Sequence, residues 1–224
     1  TASDLYSRFV LDCRVLEAQT VQVVQPVFDM IFTDYGLPEV IRVDNGAPFG
    51  SPGPCGLTQL SVWWVQLGIR VEFIEPGHPE QNAVHERMHR TLKDDTCCPP
   101  KWTCNAQQRR FDQWRHEFNH ERPHEALDMR CPAEVYRISA TPYSGQPKPF
   151  CYPGYFEVRR VKKAGQIVLH TADRFIGRAF KGIDVGLEPI RSDQFLVHAG
   201  PLLIGTLSRQ SKAPMQTIVS KQIR

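Results

Sequence analysis

Long hydrophobic runs are missing from this sequence: its uninterrupted apolar stretches are only a few residues each, far short of the roughly 20 that a membrane-spanning helix needs. The first residues lack the charged head and apolar core of a secretory signal. There is no CxxC pair, and the seven cysteines (Cys13, Cys55, Cys97, Cys98, Cys104, Cys131 and Cys151) are odd in number and irregular in spacing, which argues against a disulfide framework and for reduced thiols. A strong overall charge is absent too, with 27 Lys plus Arg against 24 Asp plus Glu. What is present is 224 residues, 41% apolar and 23% charged, enough for one substantial core or a core with a small satellite domain. A soluble, intracellular protein is the expectation.

The small net charge hides a split. Residues 1–144 carry 14 basic against 19 acidic residues, whereas residues 145–224 carry 13 against 5. The change falls in a stretch containing Pro142, Gly145, Pro147, Pro149, Pro153 and Gly154, where proline resists both helix and ladder pairing. A domain boundary is placed there. The basic segment suits either a polyanion-binding module, because Lys and Arg neutralise phosphate, or simply a soluble surface.

Alternation predicts a strand over 8–15 after a turn at Asp4–Ser7. From Thr20, apolar residues recur at helical spacing up to Tyr35, with Gly36 past the end and Pro26 inside. The regular part of that helix starts either near Thr20 or at Pro26. A short strand over 40–43 runs into Asp44-Asn45-Gly46, a turn signal that puts Asp44 at a strand's carboxyl end. Thr58 caps a helix that stops at Gly68, and a strand over 69–74 follows. A helix over 82–93 sets Val84, Met88 and Leu92 on one face and Glu86, Arg90 and Lys93 on another. Phe111, Trp114 and Phe118 mark the next helix, ended by Pro123, and Pro132 opens a short one. Alternating strands and helices indicate an α/β core. Short strands over 155–161, 167–170, 185–190, 195–198 and 202–207 then read as a small β-barrel, followed by a polar tail expected to be mobile.

Two readings of the chemistry share one glutamate. His85-Glu86-Arg87-Met88-His89 matches HExxH, in which two histidines one turn apart bind zinc. Arg87 and Arg90 weigh against it, since burying such a helix would strand charge. Alternatively Asp44 and Glu86 are hard oxygen ligands for Mg²⁺ acting on a phosphate substrate. The run from Cys97 to Cys104 holds three cysteines without zinc spacing, so structural or incidental thiols are expected there. Trp63, Trp64 and Trp114 sit at core helical spacing.

Around both carboxylates, the chain resembles insertion-sequence transposases of the retroviral-integrase superfamily. The resemblance is carried by Asp4-Leu5-Tyr6-Ser7-Arg8-Phe9, Tyr35-Gly36-Leu37-Pro38, the run Val43-Asp44-Asn45-Gly46-Ala47-Pro48-Phe49-Gly50, and Gly77-His78-Pro79 leading into Glu86-Arg87-Met88-His89-Arg90-Thr91-Leu92-Lys93. Phe111-Asp112-Gln113-Trp114-Arg115 and Asn119-His120-Glu121-Arg122-Pro123 continue it in the family's order. It implies an RNase H-like α/β catalytic core over 1–140, a linker over 141–153, a small SH3-like β-barrel that binds DNA over 154–210, and a tail over 211–224. It also implies a DDE carboxylate triad holding Mg²⁺ or Mn²⁺, with Asp44 and Glu86 as catalytic metal ligands on this chain. His89, Arg90 and Lys93 would face DNA phosphate, joined by Arg159, Arg160, Lys162 and Lys163 around a barrel hairpin. Element ends and target DNA are the implied partners, bound by a homo-multimer without any membrane.

By the same alignment the triad's first aspartate falls before residue 1, because Asp4 and Asp12 match other positions. The expectation is therefore a core lacking its first strand, with unpaired sheet edges. Such a chain would neither nick nor join DNA on its own. The alternative is a catalytically inactive DNA-binding or inhibitory remnant.

Overall fold

Thr20 accepts the amides of both Val23 and Val24, which starts the first helix ahead of Pro26 and carries it through that residue. The computed structural model describes residues 1–191 and 193–218, the side chains of Pro79 and Arg191 aside. In chain order its elements are β1 (Ala2–Ser3), β2 (Val10–Asp12), α1 (Val21–Tyr35), β3 (Val40–Val43), α2 (Gln59–Gln66), β4 (Arg70–Phe73), α3 (Ala83–Thr96), α4 (Cys104–His120) and α5 (Pro132–Val135). Then come β5 (Glu157–Arg160), β6 (Gln166–Leu169), β7 (Ala172–Phe175), β8 (Asp184–Arg191), β9 (Gln194–Ala199), β10 (Leu202–Ser208) and β11 (Gln216–Thr217). The chain divides into two compact units, one made of 1–19, 26–36 and 74–143, the other of 20–25, 37–73 and 144–224.

In the first unit β1 and β2 pair antiparallel. Val10, Cys13, Met88, Leu92, Trp114 and Phe118 form one buried cluster with Phe111 against it, so the apolar faces of α3 and α4 meet β2 as their periodicity predicts. The regular strand is shorter than the alternation over 8–15 because side chains of α4 take over its hydrogen bonding. Asn119 accepts from the Val10 amide at 2.8 Å and donates to the Val10 carbonyl at 3.0 Å. Gln108 does the same for Val15 and Cys13, and Arg115 donates to the Leu11 carbonyl at 2.7 Å. Residues 108, 115 and 119 lie on one face of the helix, and β2 is lined by amide and guanidinium groups there instead of by a strand. The unpaired edge expected on this side is therefore covered.

In the second unit β3 and β4 are parallel, in register from Val40 opposite Arg70 to Val43 opposite Phe73, with α2 as the crossover expected between parallel strands. Thr58 and Ser61 form a reciprocal capping box at the start of α2. Gly68, at φ +86°, turns the chain out of the helix. Beyond residue 144 an antiparallel sheet runs in the order β11-β10-β9-β8-β5, with a separate β6–β7 hairpin. The hairpin partner β7, rich in polar residues, escaped the strand pattern. Residues 37–73 group with these strands through specific contacts: the Cys55 thiol lies 3.6 Å from the Leu203 carbonyl, and Gln59 donates to the Arg178 carbonyl at 3.3 Å.

The segment read as a tail does not simply trail away. Met215 is buried, its amide donates to the Phe175 carbonyl, and Gln216–Thr217 add a strand to β10. The remainder of that segment, 219–224, lies outside the described residues.

Candidate functional site

Asp44 stands directly past the carboxyl end of β3, exposed, in a loop wound tightly on itself. Its Oδ1 accepts the Gly46 amide at 3.0 Å, an Asx-type turn that fixes the carboxylate's direction. The Gly46 carbonyl then accepts from the amides of Phe49 and Gly50. Close approach requires glycine at position 50, where a Cβ would sit 2.4 Å from the Asn45 carbonyl oxygen, and a Cβ on Gly46 would sit 3.3 Å from Asp44 Oδ1, tight enough to displace that side chain slightly. Gly46 is legible from the turn signal. Gly50 is not, because its constraint arises only when the loop folds back on Asn45.

Glu86 occupies the first turn of α3, exposed, and Arg90 and Lys93 follow on the same exposed side. The opposite face presents Met88, Leu92 and Thr96 to the core. Ahead of the helix, His78 Nδ1 lies 2.7 Å from Glu80 Oε1. The hydrogen bond that the His78 ring donates to Glu80 raises the His78 pKa and lowers that of Glu80. The negative charge at Glu80 is thus shared with an imidazole that gains a proton readily.

His85 and His89 are half-buried, and their Nε2 atoms approach one atom, the Thr1 hydroxyl, at 3.1 and 2.7 Å. Ser3 Oγ lies 3.2 Å from His85 Nδ1. Burial lowers the His89 pKa, with the charge on Lys93 adding to the effect. With its pKa lowered, the His89 ring serves as a hydrogen-bonding group, leaving Arg87, Arg90 and Lys93 as the cations of this helix. Among the described residues no group of three or more His, Cys, Asp and Glu is gathered as a metal site, and all seven cysteines are free thiols.

The two acidic residues near the start have other occupations. Asp4 Oδ2 accepts from the Ser7 amide and hydroxyl at 2.7 and 2.6 Å, closing the turn before β2. Asp12 is buried and pairs with Arg14 at 3.2 Å and more loosely with Arg115 at 3.9 Å.

Around the β5–β6 turn, Arg159 pairs with Glu157 at 2.8 Å, Arg160 with Asp184 at 3.3 Å and Lys162 with Asp173 at 2.7 Å. Lys163 has no ion pair among the described residues. The three paired cations are 38 to 65% exposed, a setting in which ion pairs are worth little and other anions compete for them. Asp44 lies in the second unit with these basic strands, whereas Glu86, His89, Arg90 and Lys93 lie in the first.

Comparison with known proteins gives a consistent picture. Residues 67–132 match the integrase core domain family. Over 159 residues, 70% of this chain, the sequence is 29% identical to an uncharacterized 39.2 kDa protein of insertion element IS476 from Xanthomonas euvesicatoria, covering 44% of that protein. Over 101 residues, 44% of this chain, it is 31% identical to an uncharacterized 31.7 kDa protein of insertion element IS407 from Burkholderia multivorans, covering 34% of it. The matched region spans less than half the length of each of these relatives. No helix among the described residues is long and apolar enough to cross a membrane.

Proposed function

We propose, from the premise that this chain is an insertion-sequence transposase/integrase relative, that it takes part in DNA strand cleavage and joining by phosphoryl transfer, with Asp44 and Glu86 as ligands of the divalent ions. The observation that carries the reading is Asp44 itself. It is an exposed carboxylate at the carboxyl end of a parallel strand, where open α/β sheets place their functional groups, and it is aimed by the Gly46 amide.

The donor set suits the ion. Carboxylate oxygens are what Mg²⁺ and Mn²⁺ take, and Mg²⁺ is commonly held by one or two carboxylates with water and substrate phosphate completing the shell. When bound, such ions activate the attacking hydroxyl and stabilise the leaving oxygen. The protein's own part is positional. The Asx turn holds the Asp44 carboxylate in one direction, and α3 holds Glu86 one turn ahead of Arg90, whose charge with that of Lys93 offsets DNA phosphate. Lys163, Arg159, Arg160 and Lys162 offer further backbone contacts from the basic strands, and a multimer on element ends and target DNA is the assembly this implies.

The test pairs two readouts on the purified chain. Mn²⁺ titration is expected to weaken at least about tenfold in Asp44→Asn and in Glu86→Gln, the loss of roughly 1.4 kcal/mol or more for one anionic ligand. Any metal-dependent cleavage of a labelled DNA duplex is expected to drop at least about 100-fold in Glu86→Gln, since metal assistance is worth several kcal/mol. Undiminished Mn²⁺ binding in both variants, or undiminished cleavage in Glu86→Gln, overturns the assignment. Salt-dependent DNA binding with no metal-dependent cleavage favours a DNA-binding or inhibitory role instead.

A further inference from the structure

A cleft of about 500 Å³ opens between the end of α3, the connection that follows it and the start of α4, with Asp95, Lys101, Arg109, Arg110 and Gln113 on its walls. All of these residues belong to the first unit. The acidic wall is already neutralised: Asp95 Oδ2 accepts from Trp114 Nε1 at 2.9 Å and from Arg122 at 3.2 Å. Arg110 is held by uncharged oxygens, the Asp95 carbonyl at 3.1 Å and Gln113 Oε1 at 3.5 Å, so its position is fixed while its charge stays uncompensated. Lys101 is fixed through its backbone, its amide donating to Gln107 Oε1 at 2.8 Å. Neither Lys101 nor Arg109 makes an ion pair among the described residues. Three cations thus face one cleft with no free anion opposite them.

Next to Lys101 stands Trp102, which is 102% exposed. The other three tryptophans, Trp63, Trp64 and Trp114, are buried. Trp102 makes no hydrogen bond and no ring contact among the described residues, so nothing in the fold accounts for an indole held in water at a cost in hydrophobic free energy. Trp102 is not itself a wall of the cleft but directly follows Lys101, which is. Cations that track phosphates beside an exposed ring on which a base can stack are the combination by which proteins hold single-stranded nucleic acid. In a duplex the base faces are covered by their neighbours, so an indole on a surface can stack only on an unpaired or terminal base.

We infer that the Lys101–Arg109–Arg110 cleft is a binding site for a single nucleic-acid strand, with successive backbone phosphates on its cations and an unpaired base stacked on Trp102. The inference rests on the DNA reading above, to which it adds a second contact surface that recognises an unpaired strand.

The test is a fluorescence titration of the full chain with a thymidine 20-mer in EDTA. With three tryptophans buried, solvent-exposed emission comes from Trp102, and stacking is expected to quench it. Trp102→Ala, which removes no internal contact, is expected to weaken binding at least about fivefold, the lower end of what one stacked base is worth. The double variant Lys101→Ala/Arg109→Ala is expected to reduce the slope of log affinity against log salt by about 1.4, two single-strand phosphate contacts. Strand binding without quenching, unchanged affinity in Trp102→Ala, or equal quenching by a covalently closed circular duplex, which has no terminal bases, overturns the site. Because EDTA removes metal chemistry, this outcome is separate from the fate of Asp44 and Glu86. Quenching together with Mn²⁺ binding undiminished in Asp44→Asn and Glu86→Gln counts only against the metal-ligand reading, and weakened Mn²⁺ binding in those variants without quenching counts only against this one.

Discussion

Replacing Asn119 by alanine is the sharpest test of how the first unit holds together. Asn119 is 3% exposed and Val10 is fully buried. The side-chain amide supplies both the acceptor for the Val10 amide at 2.8 Å and the donor for its carbonyl at 3.0 Å. Truncation leaves a buried N–H and a buried C=O without partners, each costing about 1–3 kcal/mol, so the expected loss is about 2–6 kcal/mol. That is a large share of the roughly 5–15 kcal/mol by which domains are stable. Gln108→Ala is the internal control. It removes the same two kinds of hydrogen bond, at 3.0 and 2.9 Å to Val15 and Cys13, but Gln108 and Val15 are only half-buried, so water can replace the partner of the Val15 amide and only the Cys13 carbonyl, in a residue 1% exposed, loses its donor in a buried setting. Its cost is expected to be about 1–3 kcal/mol, half that of Asn119→Ala. Urea unfolding followed by circular dichroism would give both values, and hydrogen exchange of a peptide spanning 8–13 would report the Val10 amide directly. If Asn119→Ala costs no more than Gln108→Ala, the idea that a side-chain amide substitutes for a strand at this edge is wrong.

Three further outcomes follow from the geometry. Gly46→Ala would press a Cβ to 3.3 Å from Asp44 Oδ1. It is expected to weaken Mn²⁺ binding while leaving the thermal midpoint nearly unchanged, and equal Mn²⁺ titrations would refute the aiming role of that turn. Burial pushes the Cys13 thiol up to about 12, so in the native state at pH 8 a thiol reagent should label exposed Cys98, Cys104 and Cys151 and spare Cys13. Mass spectrometry of the labelled peptides decides it. Burial depresses the folded-state pKa of His89, so the unfolded chain binds its proton first as pH falls below about 6.5. Stability should therefore drop from pH 7 towards pH 5, and His89→Gln should flatten part of that drop. A slope identical to wild type would show that His89 is not the group responsible.

Much of the local architecture is legible in the order of the residues. The Thr58–Ser61 capping box, the stop at Gly68 and the apolar faces of α3 and α4 all depend on neighbours within a turn or two. The turn after Asp44 belongs with them, since its hydrogen bond spans two residues. So does the exposure of Glu86, opposite the Met88–Leu92 stripe. Local steric and hydrogen-bonding rules act over such distances whatever the rest of the chain does. The start of α1 is ambiguous in the sequence because a proline in the second turn weakens the pattern on both sides, and the Thr20 carbonyl resolves it.

Other features belong to the tertiary structure alone. Asn119 meets Val10 across 109 residues, and an asparagine in a helix carries no mark of the backbone it will pair with. The grouping of 37–73 with the basic strands, rather than with the α/β residues around them in sequence, depends on contacts such as Cys55 to Leu203. Pairing then turned Arg159, Arg160 and Lys162 from a uniform basic run into three ion pairs beside a single unpaired Lys163. Composition and spacing by themselves therefore determined the α/β-then-β order and the caps and turns, whereas the candidate carboxylates were singled out by the family resemblance. Which cations keep their charge, which tryptophan stays in water and which amide closes a strand were decided only by folding, because each depends on groups that the chain brings together from far apart.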